Sequence, residues 1–78
     1  MILVKIIIDN KSLYGGNAQE VYLKTIDKGL MALRKGCPNY VLKIVESVEV
    51  IQANNTKQVF KINEAIANFN NNVLEIIG

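Results

Sequence analysis

The chain has 78 residues, half of them hydrophobic, with nine Lys or Arg against seven Asp or Glu and a net charge of +2. A chain this short makes one domain with a thin core, because it buries only about 60% of the surface it exposes when unfolded, and self-association as a homodimer is the expected supplement. The composition excludes a disordered tail, no apolar run is long enough to span a bilayer, and the interspersed charges are too mild to select a nucleic acid.

Ile2 to Ile8 is apolar except for Lys5, and its β-branched content predicts a strand covered on at least one face and placed centrally in a sheet. Asp9-Asn10-Lys11 supplies turn residues, and Ser12-Leu13-Tyr14 reads as either a short strand or a loop. Gly15-Gly16 leads to Asn17, which with Glu20 has the spacing of a capping box and predicts a helix from Ala18 to Lys35. On that helix Tyr22, Leu23, Ile26, Leu30 and Leu33 share a buried face, Glu20, Lys24, Asp27 and Lys28 lie opposite, and Gly36 and Pro38 are the stop signals.

Tyr40 to Gln52 has strand-like branching, but its alternation slips at Glu46-Ser47. A bulged strand explains the slip better than a helix, which would misplace Leu42 and Val50. Ala53-Asn54-Asn55-Thr56 reads as a turn into an antiparallel strand over Lys57 to Ile62. Asn63 then caps a short helix through Phe69, with Ile66 and Phe69 facing inward, and Asn70-Asn71-Asn72 ends it. Val73 to Ile77 is a candidate last strand. The predicted fold is α+β in the order β-α-β-β-α, a small single-layer sheet with two helices on one face. This order is similar in topology to the archaeal Alba chromatin proteins, although the chain has neither their lysine motif nor an extended basic hairpin.

Zero His removes the most usual general base, the commonest metal ligand and the middle member of a Ser-His-Asp relay. Cys37 stands alone, so it builds neither an internal disulfide nor a zinc cage, and it reads as a small half-buried residue beside Pro38. Glu46 and Glu49 point to opposite faces of a strand and make no facing acid pair. Gly15-Gly16 before a helix start lacks the spacing of either phosphate-binding glycine motif. The expectation is a non-enzyme with no catalytic, cofactor or metal site.

The best candidate surface is a stripe on the predicted first helix made by Lys24, Lys28 and Lys35, with Arg34 beside it and Lys11 near its start. Such a stripe suits a partner protein or the phosphates of a nucleic acid. Met1 to Val4 is interrupted by Lys5 and no small-residue cleavage site follows, which predicts a cytoplasmic protein. The abundance of Asn, Ile and Lys, residues with A+T-rich codons, adds a phage or mobile-element accessory protein to the expectation. The sequence reading is therefore a non-catalytic interaction or inhibitor module that dimerises, with a small nucleic-acid-binding protein as the alternative.

Overall fold

Seven strands and no helix make up the computed structural model, which describes all 78 residues. They are β1 (Ile2–Ile8), β2 (Lys11–Ala18), β3 (Glu20–Thr25), β4 (Gly29–Arg34), β5 (Tyr40–Ile51), β6 (Lys57–Asn70) and β7 (Val73–Ile77). They form one sheet in the order β2-β1-β7-β6-β5-β3-β4. Every pairing is antiparallel except that of β1 with β7, so the sheet is mixed.

A sheet with one apolar face and no helix to cover it must fold over on itself. The 17 buried hydrophobic residues duly form a single cluster drawn from all seven strands. The two longest strands, β5 and β6, run through both halves, and the bend is built into their pairing. Val45 pairs with Glu64 but Ser47 pairs with Lys61, so β6 carries one residue more than β5 across that step. This is a β-bulge, which bends a strand and strengthens its twist. Closure shows at the free ends of the sheet: the Tyr14 ring of β2 meets Phe60 of β6 edge to face at 5.9 Å. The Asn72 side chain also accepts from the Gly36 amide at 2.9 Å, tying the β6–β7 turn to the β4–β5 connection.

The predicted α+β class is overturned, and each missed helix has a physical cause. Over Glu20 to Thr25 the buried set is Val21, Leu23 and Thr25, a period of two. The apparent helical spacing arose from joining two strands across a turn. Gly29, with φ +70, sits in that turn, where a left-handed backbone favours glycine. The Thr25 hydroxyl accepts from the Lys28 amide and donates to the Gly29 carbonyl, which fixes the hairpin. Asn17 caps nothing and lies inside β2, and the short stretch Ser12-Leu13-Tyr14 also belongs to that strand. The helix expected from Asn63 to Phe69 is the second half of β6. Its inward set changes from Phe60 and Ile62 to Ala65, Ala67 and Phe69, because the extra residue between Lys61 and Glu64 shifts the alternation by one. Without any helix the topological similarity to the Alba proteins also disappears.

Other expectations hold. β1 is an interior strand with partners on both sides. Tyr40–Ile51 is a strand whose register shifts between Val45 and Ser47, at the slip in its alternation. Val73–Ile77 is a strand, and the turns at Asp9-Asn10, Asn55 and Asn71-Asn72 have positive φ, as Asn and Asp tolerate.

Glu46 is the one residue that departs from this rule, with φ +70 on a long acidic side chain. A left-handed backbone costs a residue bearing Cβ about 1–2 kcal/mol. Glu46→Gly is therefore expected to raise the unfolding free energy by about 0.5 kcal/mol, the relief being offset by the freer unfolded glycine and the lost Lys24 ion pair. Urea denaturation of the two proteins checks the sign, and a loss of stability would show that the bulge depends on the Glu46 side chain.

Candidate interaction surfaces

In each strand the residues that alternate with the core point outward, and the two halves of the folded sheet present different chemistry. The half built on β1, β7 and the ends of β5 and β6 that lie beside them sets apolar side chains among Lys5, Glu75, Asn68 and Lys43. Its cross-strand rows follow from the register: Leu3 beside Val73, then Lys5, Glu75, Asn68 and Val41, then Ile7, Ile77, Ile66 and Lys43. Val41 is 71% exposed and Ile77 51%, and Leu3, Ile66 and Val73 are exposed as well. The row of Lys5, Glu75 and Asn68 separates Leu3 and Val73 from a cluster of Ile7, Ile77 and Ile66, with Val41 diagonal to Ile66. At one margin of the face a cleft of about 310 Å³ lies between Ile26, Ile66, Ile77 and Gly78, with Lys43 and Glu64 at its rim. Gly78 marks a close approach, because a Cβ there would stand 2.8 Å from the Glu64 carbonyl oxygen.

The other half carries the ion pairs, set beside the exposed Leu30 and Val59. Glu20 accepts from the Arg34 guanidinium, whose Nε lies at 2.7 Å, and from the Tyr22 hydroxyl two residues along the same face. Lys24 donates to Glu46 at 2.8 Å, and Lys57 lies 3.8 Å from Glu49. The Tyr22 hydroxyl, with Arg34 behind it, holds the Glu20 carboxyl below its usual 4.5, while the same bond raises the Tyr22 hydroxyl above 10.0. The Glu46 carboxylate raises Lys24 above 10.5.

A carboxylate that is more acidic when folded stabilises the fold fully above its unfolded pKa and loses that contribution as pH falls through its folded value. The melting temperature is therefore expected to fall as pH drops below about 4.5. Glu20→Gln is expected to flatten that fall, and an unchanged pH profile in the variant would remove Glu20 as its source.

The five residues expected to form a basic stripe are distributed quite differently, because the helix that was to carry them is a β-hairpin. Lys24 and Arg34 lie on the outer face of that hairpin, each engaged by a carboxylate. Lys28 is in its turn, Lys35 follows its second strand, and Lys11 begins β2 on the far side of the sheet order. No continuous basic surface results. The residues missed in the sequence are the apolar ones of this outer face. The signal for them lay in β1, where Leu3 and Ile7 are apolar at the positions that alternate with the buried Ile2, Val4 and Ile6. Side chains of the buried set are all satisfied, since no buried side-chain nitrogen or oxygen lacks a hydrogen-bond partner. No helix is long and apolar enough to cross a membrane.

No family model and no curated protein matches the chain. Among solved structures, a chain of the Euglena gracilis mitochondrial ATP synthase, in the cryo-EM structure of its OSCP/F1/c-ring in rotational state 1, superposes with a TM-score of 0.89. The superposition covers 97% of this chain and 49% of that one at 18% identity, so this chain spans about half the length of its structural neighbour. The expectation of a phage accessory or inhibitor protein is corrected by this match, and the match lends no support to a homodimer or to nucleic-acid binding. At 18% identity what is shared is the fold: this chain is built like one part of a chain found in an ATP synthase assembly.

Proposed function

We propose that the chain is a non-catalytic domain that works by docking onto partner proteins in an assembly of the ATP synthase type, in the cytoplasm. The observation that carries this reading is the superposition over 97% of the chain with a component of such an assembly. The exposed apolar cluster of Ile66 and Ile77, with Val41 diagonal to Ile66, supports it, because exposed apolar clusters rimmed by polar residues mark interaction sites. Catalysis has no part in the proposal, since the chain contains no His and no cluster of acids, Cys and His able to hold a metal.

The test is affinity purification of the tagged chain from its own cells at moderate salt. ATP synthase subunits are expected to accompany it in fixed stoichiometry. Ile66→Lys combined with Ile77→Lys is expected to reduce their recovery at least about tenfold, since charge is disfavoured at the core of an interface. Circular dichroism of the variant should stay unchanged. A chain that is recovered free of any ATP synthase subunit would overturn the proposal.

A further inference from the structure

We draw no further inference here: the strongest candidate, the cleft between Ile26, Ile66, Ile77 and Gly78 with Lys43 and Glu64 at its rim, adjoins the apolar cluster already assigned to docking, and nothing in the structure shows what covers it.

Discussion

Phe69→Ala is expected to lower the unfolding free energy by about 3–5 kcal/mol, the range for removing a large aromatic side chain from a packed core. Phe69 is the largest of the fully buried side chains. It lies on β6, beyond the bulge, between Tyr40 of β5 and Leu74 of β7 in the register. Both neighbouring strands are held by their own ladders, so the site cannot collapse easily around the void. A domain of this size has a total stability of about 4–12 kcal/mol, so the loss removes about a quarter of it at the upper end and all of it at the lower. Chemical denaturation measures the loss, and a loss below about 1 kcal/mol would place Phe69 outside the core.

Val4→Lys and Leu3→Lys are expected to give opposite outcomes although the residues are neighbours. Val4 is fully buried on an interior strand, between Gly16 and Leu74. A charge there has no partner within the core, and leaving it unpaired costs several kcal/mol, enough to unfold the domain. Leu3 lies on the opposite side of β1 and is 39% exposed. Lys there should change stability by no more than about 0.5 kcal/mol. Leu3→Lys should instead weaken docking, since Leu3 and Val73 share one side of the sheet with Ile66 and Ile77. Far-ultraviolet circular dichroism and recovery of partners separate the two effects. A folded Val4→Lys protein would show that β1 is not packed on that side.

The exposed apolar residues change how the small size of the domain is to be understood. A thin core invites stabilisation from outside, and the sequence suggested a second copy as its source. The fold offers an outer sheet face instead, on which Ile66, Ile77 and Val41 are exposed. Glu20, Arg34, Lys24 and Glu46 lie away from it on the ion-paired half, where exposed ion pairs contribute little to stability but keep the surface soluble.

The sequence by itself determined the local elements whose cause is local. Ile2–Ile8 is a strand because its branched side chains fit a pleated, buried surface. Asp9-Asn10, Asn55 and Asn71-Asn72 are turns because Asp and Asn tolerate a left-handed backbone, and the slip at Glu46-Ser47 marks the place where β5 shifts register against the bulged β6. It also showed which catalytic groups the chain does not contain. Tertiary structure alone decided what Ala18 to Lys35 and Asn63 to Phe69 became. Both stretches carry helix-like caps and spacings, and in both the sheet prevailed: each strand gains hydrogen bonds and a buried face from neighbours distant in sequence, which local propensity does not record. The same dependence hid the exposed apolar residues, because Leu3, Val73, Ile77, Ile66 and Val41 come to share one side of the sheet only when β1, β7, β6 and β5 lie side by side.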